Sequence, residues 1–339
     1  MQNISLCLNA FSRGTYPEDA AIAGAFDELM SGDVADAAIG GFLIGLAAIG
    51  ERPVDIAAGA RAMRSRMTRI TAPEGAIDTC GTGGDGKGAW NISTAAAIIA
   101  AGAGAIVAKH GNRAASSKSG SSDVLAQLGV KLDCPPQVVE RALLEARVGF
   151  LYAPAHHAAV RHVGPARQNL GVRTVFNLLG PLSNPAGVKR QLLGVYDKRW
   201  LVPMAEALRN LGCEHALLMC GEDGMDELTT TGRSNIAELR DGVIREYSFH
   251  PEEASLPLAS AEALQGGSPQ MNADAIRALL DGETGAFRDI AVLNAGAALL
   301  LAGLADSIAD GTRLAEAAVD DGRAKTALAR MVAISHGEA

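Results

Sequence analysis

Between Pro17 and Ala72, apolar residues recur at intervals of three and four: Ala21, Phe26, Leu29 and Met30, then Ala38, Phe42, Leu43, Leu46 and Ile49, then Ile56, Ala60 and Met63. That spacing draws an apolar stripe down successive helices and predicts an α-helical N-terminal lobe. Ser31-Gly32-Asp33 breaks the pattern, and Pro53 stands at a helix start, where a missing N–H costs nothing. Beyond Ala76 the period changes. Short apolar runs, Ile77 to Cys80, Ala105 to Ala108, Phe150 to Tyr152, Gln191 to Tyr196 and Ala216 to Cys220, alternate with helical stretches. This alternation predicts right-handed crossovers and a mainly parallel sheet. Ile236 to Glu238 and Val243 to Tyr247 flank Asp241-Gly242 and read as a hairpin, while helices near Ala273 to Leu280 and Ile290 to Leu304 close the lobe. The expected fold class is therefore α/β, with a small all-helical domain beside a large α/β domain built on a mainly parallel central sheet.

Composition narrows this picture. A chain of 339 residues exceeds what one hydrophobic core usually serves, which agrees with two lobes. Hydrophobic residues make up 48% of it, the net charge is −8, and aromatics are scarce. An acidic chain of this kind does not suit nucleic acid, where affinity rests on neutralising phosphates. The five cysteines, Cys7, Cys80, Cys134, Cys213 and Cys220, contain no C-x-x-C pair and read as reduced thiols. MQNISLCLNAFSRGTYPEDAA lacks a basic stretch followed by an apolar one, and the runs Ile39 to Gly50, Ala95 to Ala108 and Ile290 to Ala305 fall short of a membrane span. A cytoplasmic protein with no membrane partner is expected.

The candidate chemistry is concentrated from Asp78 to Asp123, which reads strand, loop, helix, strand, loop. Gly81 to Lys87 fits the G-x-x-x-x-G-K phosphate loop, but Gly88 stands where a hydroxyl should hold magnesium. Gly81, Gly83 and Gly86 also fit G-x-G-x-x-G, yet the second strand leads into Lys109-His110 where a dinucleotide site wants an acid. Asp85 inside the loop makes sense if it helps hold a cation or meets a sugar hydroxyl. The loop runs into Asn91-Ile92-Ser93-Thr94, whose side chains can cap the next helix and whose N–H groups, with the helix dipole, favour an anion. A second polar run, from Lys109 through Ser121, should face the first loop, because ligands of parallel sheets gather at the carboxyl ends of the strands. Two phosphate sites on one crevice suggest a substrate with two phosphoryl groups.

GTGGDG, NIST, KHGNRAASSKSGSSD, APAHH, FNLLGPLSNPA and GEDGMDEL, in that order, resemble the anthranilate phosphoribosyltransferases of tryptophan biosynthesis, over essentially the whole chain. The resemblance implies a helical domain over 1–72, joined by helices from about 160–187, and a donor-binding α/β domain over 73–339. It implies a homodimer through the helical domain, and phosphoribosyl pyrophosphate (PRPP), anthranilate and a pair of Mg2+ ions as ligands. For PRPP it implies Gly81, Gly84, Asp85, Ala89, Asn91, Ile92, Ser93 and Thr94 from the first loop. From the second it implies Lys109, His110, Gly111, Asn112, Arg113, Ala114, Ala115, Ser116, Ser117 and Ser121. Magnesium falls to Ser93, Asp226 and Glu227, and anthranilate to Gly81, Asn112, His157 and Arg167, whose donor fork suits a planar carboxylate.

In the reaction so implied, the anthranilate amine attacks the anomeric carbon as pyrophosphate leaves, so stabilising a departing anion is the main task. Lys109 is the electrostatic candidate, and a neutral aromatic amine demands no strong base; His110 is the candidate proton acceptor. A pyrimidine nucleoside phosphorylase shares the implied fold, but KHGN with Arg167 fits a carboxylated aromatic amine better than a nucleobase. A non-enzymatic nucleic-acid-binding homologue would need a basic face, and a nucleotide hydrolase would need a hydroxyl at Gly88. The chain departs from the family pattern at Lys87-Gly88, Ala89, Trp90 and Cys220.

Overall fold

The computed structural model describes residues 1–113 and 118–338. Four helices, α1 (Gln2–Ser12), α2 (Asp19–Leu29), α3 (Asp36–Ile49) and α4 (Pro53–Ser65), form the N-terminal lobe. Their stripes meet in a core that includes Phe26, Phe42, Leu43, Leu46 and Ile56, all fully buried, with the Phe26 and Phe42 rings edge to face at 5.3 Å. The expected break at Ser31-Gly32-Asp33 and the start at Pro53 are both present.

The second lobe runs β1 (Ile77–Gly81), α5 (Ile92–Gly102), β2 (Val107–Gly111), α6 (Ser121–Gln127), α7 (Pro136–Glu145), β3 (Val148–Tyr152), α8 (Ala153–His156), α9 (Gly164–Leu170) and α10 (Phe176–Leu179). It continues with β4 (Arg190–Gly194), α11 (Leu201–Asn210), β5 (His215–Gly221), β6 (Ser234–Arg240) and β7 (Val243–Phe249). It closes with α12 (Pro269–Leu280), α13 (Ala286–Leu301), α14 (Ile308–Asp320) and α15 (Arg323–Ser335). Among the described residues seven strands lie in the order β3-β2-β1-β4-β5-β6-β7; the first five pair in parallel and the last two are antiparallel. β6 and β7 are the expected hairpin, and its two-residue turn puts Asp241 at φ 51° and Gly242 at φ 79°.

Several strand bounds shift from the sequence reading: β3 begins at Val148 rather than Phe150, β4 ends at Gly194 rather than Tyr196, and the shift in the second strand bears on the site. The second begins at Val107, not Ala105, and runs through Lys109 and His110 to Gly111. Ala105 is taken up by the turn that closes α5, its N–H donating to the Ala100 carbonyl at 3.0 Å after Gly104 at φ 110°. Lys109 and His110 are thus strand residues, held by parallel pairing to Phe150 and Leu151 of β3. The helices α14 and α15 also lie outside the sequence reading. Close approach builds them in: a Cβ on Gly311 of α14 would lie 2.3 Å from the Gly296 carbonyl oxygen of α13.

Helices α9 and α10 pack on α3 and α4, and Val163, Val175, Phe176 and Leu179 share a core with the N-terminal helices. The order reverses beside β1: β2 and then β3 extend the sheet on one side of it, and the chain then returns to place β4 on the other. Open parallel sheets bind ligands in the crevice outside the carboxyl ends at such a point.

Candidate active site

A crevice of about 730 Å³ opens there, lined from the sheet side by the segments after β1, β2 and β5 and from the helical side by residues such as Met63, His157 and Arg167. Gly83, Gly84, Gly86 and Gly88 all have φ between 61° and 77°, left-handed backbone that only glycine adopts without strain. The loop after β1 is therefore written for its conformation as well as for close approach. Thr82 anchors its start, its N–H donating to Gly194 O at 2.9 Å and its hydroxyl accepting from the Tyr196 N–H at 3.0 Å. The end is anchored as well. Gly88 O accepts from the Gly266 N–H, Trp90 N–H donates to Leu264 O, and the Trp90 indole donates to Ala263 O at 3.3 Å while packing 5.3 Å from the Phe287 ring. The departures at Gly88, Ala89 and Trp90 thus form a short bridge to the 263–266 segment, which includes the pairing of Ala89 with Gln265.

Asn91 is the N-cap of α5, but its side chain does not cap the helix. It reaches across to the second loop, donating to Ser119 O at 3.2 Å and accepting from the Ser119 hydroxyl at 2.9 Å and from Asn272 Nδ2 at 2.8 Å. Asn91 joins the two loops, and Asn272, which no sequence motif marked, holds the joint from α12. Ile92 and Thr94 stand apart from the other first-loop candidates. Ile92 is buried with Met225, Leu264 and Ile290, and the Thr94 hydroxyl is buried with no partner among the described residues. Neither residue is among those that line the crevice. Gly81, Gly84, Asp85, Ala89, Asn91 and Ser93 line the crevice, as do Lys109, His110, Gly111, Asn112, Arg113 and Ser121 from the second segment. Ala114, Ala115, Ser116 and Ser117 lie outside the described residues.

Lys109 is 3% exposed, and its ammonium donates to Thr79 O at 2.5 Å and to Ser93 Oγ at 3.3 Å. Burial pulls its pKa down, opposed by the charge of buried Asp78. Asp78 in turn accepts from the His110 N–H at 3.0 Å, and burial pushes its carboxyl up. The Ser93 hydroxyl therefore sits against the lysine. His110 is pressed well below its ordinary pKa by burial and by His157, whose ring lies 5.1 Å away. A neutral imidazole so reluctant to charge is a weak base, and its Nε2 has no partner among the described residues.

Asp85, Asp226 and Glu227 bring carboxylate oxygens within 4.8 Å of one another. Burial and the charge of Asp85 push Asp226 up to about 6, and burial with Asp226 pushes Glu227 well up. Three hard oxygen donors gathered this closely, with no ion pair to a basic side chain among the described residues, suit a divalent cation such as magnesium. One Asp226 oxygen also accepts from the Gly83 N–H at 2.9 Å, so the carboxylate cluster and the glycine loop are one construction. Arg167, half-buried on α9, has no acidic partner among the described residues; burial lowers its pKa, and its guanidinium lies 5.3 Å from the centre of the Phe176 ring. An unpaired guanidinium beside an aromatic wall is prepared for an aromatic carboxylate.

Two family models match the chain: the helical bundle domain of the glycosyl transferase family over residues 7–67 and its α/β domain over residues 73–325. Over 339 residues, covering both chains in full, the sequence is 84% identical to the anthranilate phosphoribosyltransferase of Maricaulis maris. The structure is similar to the anthranilate phosphoribosyltransferase of Thermus thermophilus, with a TM-score of 0.92 at 45% identity, covering 99% of this chain and 100% of that one. It shares its fold with the Saccharomyces cerevisiae enzyme solved in complex with PRPP and Mg, with a TM-score of 0.91 at 24% identity, covering 99% and 98%. With both domains matched and a relative this similar end to end, the chain belongs to the anthranilate phosphoribosyltransferase family of glycosyl transferases.

Proposed function

We propose that the crevice carries out the family's reaction in this way: it holds PRPP between the two loops and passes the 5-phosphoribosyl group to the amine of anthranilate, releasing N-(5-phosphoribosyl)anthranilate and pyrophosphate. The carrying observation is the joint placement of buried Lys109, the N-terminus of α5, the Asp85-Asp226-Glu227 cluster and unpaired Arg167 around one cavity. The pyrophosphate lies over the start of α5, where the helix dipole and Lys109 favour an anion. Arg167 takes the anthranilate carboxylate, with Asn112, Gly81 and His157 beside it. The amine lone pair forms the new C–N bond at the anomeric carbon while the C–O bond to pyrophosphate breaks, its electron pair leaving with the anion. Alignment of the two substrates lowers the entropic part of the barrier, and Lys109 stabilises the charge that develops. Asp226 and Glu227, with Asp85 and Ser93 near them, would hold Mg2+, a pair of ions when PRPP is bound, which supplies further charge for the departing anion.

His110 stays neutral and accepts a hydrogen bond more readily than a proton, so the amine proton passes to water or to the leaving group. Leu6, Ile44 and Val54 leave apolar surface on the helical lobe, which supports a homodimer through it. Unpaired cysteines support a reducing cytoplasm, and among the described residues no helix is long and apolar enough to cross a membrane. The test is direct: protein mixed with PRPP, Mg2+ and anthranilate should consume anthranilate fluorescence, and the loss should stop when Mg2+ is chelated. No turnover, or phosphorolysis of a pyrimidine nucleoside in its place, would overturn the proposal.

A further inference from the structure

We propose that Arg173 is a positioning residue that clasps the glycine loop of the donor site from outside the crevice, an inference that rests on the phosphoribosyl-transfer reading. Arg173 lies on the exposed bend between α9 and α10, two residues beyond Gly171, whose φ of 63° ends α9. Its guanidinium donates to the Gly84 carbonyl and sits 4.1 Å from the centre of the Tyr196 ring. That ring is itself fixed. Trp200 Nε1 donates to the Tyr196 hydroxyl at 2.9 Å, and the Tyr196 N–H donates to Thr82 Oγ1 at 3.0 Å. The residue that supports the arginine is thus also tied to the first residue of the loop that the arginine holds.

The need for such a clasp follows from the loop's composition. Gly83, Gly84 and Gly86 give the backbone the left-handed turns it requires, and the same residues have the most conformational freedom to lose when ordered. Asp226 fixes the Gly83 N–H, and Arg173 fixes the carbonyl of the next residue, Gly84. The Gly84 carbonyl and the Asp85 N–H belong to one planar trans peptide, so holding the oxygen outward turns that N–H the opposite way and sets where the Asp85 carboxylate begins. A charged donor on the carbonyl also polarises the peptide and strengthens the N–H as a donor. Arg173 is absent from the crevice lining, so its effect on PRPP passes through the loop. Because α9 also carries Arg167, the bend links the donor loop to the helix on the acceptor side.

Hydrogen exchange on the free protein, without Mg2+ or substrate, reads the clasp directly. Arg173→Leu should speed exchange of the amides from 82 to 86 by about tenfold, equal to about 1.4 kcal/mol, while amides inside α5 keep their rate. Tyr196→Leu should act in the same direction, and the double variant should add little, since the ring works through the arginine. In turnover, Arg173→Leu should raise the KM for PRPP about tenfold and that for anthranilate by less than about twofold, with Arg173→Lys between wild type and Leu. Unchanged exchange in Arg173→Leu, faster exchange with an unmoved PRPP KM, or equal rises in both KM values would each overturn the proposal. If no variant and no wild-type protein turns over, the phosphoribosyl-transfer reading fails, and the exchange rates alone still decide whether the clasp exists.

Discussion

Placing one methyl group on Gly194 should damage the carboxylate cluster more than placing it on Gly81, although the two glycines pair across β1 and β4. A Cβ on Gly194 would lie 1.5 Å from the Asp226 carbonyl oxygen and 2.5 Å from its carbon. Carbon and its neighbours rest about 3.5 Å apart or more, so the Asp226 backbone would have to retreat by about 2 Å. No rotamer relieves it. A Cβ on Gly81 would instead meet Asp226 Oδ2 at 2.5 Å and Cγ at 3.2 Å, atoms that a side-chain rotation can carry away. That rotation gives up the bond from the Gly83 N–H. Overpacking costs about 1–3 kcal/mol, and Gly194→Ala belongs at about 3 while Gly81→Ala belongs near about 1. At about 2–4 °C per kcal/mol, the melting point of the free protein should fall by about 6–12 °C for Gly194→Ala and about 2–4 °C for Gly81→Ala. Calorimetric unfolding of both variants measures this. If Gly194→Ala melts no lower than Gly81→Ala, the 222–227 turn is not seated on the end of β4 as described, and the reasoning fails.

Other expected outcomes rest on buried charge and on Arg167. Lys109→Met removes the hydrogen bonds to Thr79 O and Ser93 Oγ and the nearby positive charge that opposes the cost of burying Asp78, and should destabilise the fold by about 1–3 kcal/mol in urea; adding Asp78→Asn should recover part of that, and a double variant as weak as the single one would contradict the coupling of the two charges. His157, 8% exposed, is pushed down to about 4 by burial and by His156, so its neutral form is the one the fold requires. Stability present above about pH 6.5 is therefore lost as the pH falls toward 4, with a slope of about 1.4 kcal/mol per pH unit for each such proton. His157→Gln should flatten the acid limb of the stability curve by about that amount, and parallel curves for the two proteins would refute it. Arg167→Ala should raise the KM for anthranilate about a hundredfold and leave that for PRPP within about twofold, as loss of a charged bidentate contact implies; equal effects on both substrates would show that the arginine is not specific to the acceptor.

How much of this was legible in the sequence depended on the range of the signal. The helical lobe and the five parallel strands were visible because apolar periodicity is local, and the Asp241-Gly242 turn because its two positive φ angles demand such residues. The register of β2 was not. Ala105 and Ile106 are as apolar as Val107 and Ala108, and only pairing with Ile77 and Val148 fixes where the strand begins. Motif resemblance brought Lys109, Asp85, Asp226 and Arg167 to one cavity, yet it treated Asn91 to Thr94 as a uniform contact run. In the folded chain the helical twist sends Ile92 and Thr94 toward the core, while the Asn91 side chain leaves its helix for Ser119 and Asn272. Asn272 and Arg173 act across 181 and 89 positions of sequence, and no local pattern carries information over such separations.

The most direct measurement is a crystal of the protein soaked with PRPP, Mg2+ and a non-reactive anthranilate analogue. Pyrophosphate density should appear over the start of α5 beside Lys109, a metal ion among Asp85, Asp226 and Glu227, and the analogue's carboxylate on Arg167. A donor bound with its pyrophosphate away from α5, or an analogue carboxylate that leaves Arg167 unpaired, would contradict this arrangement.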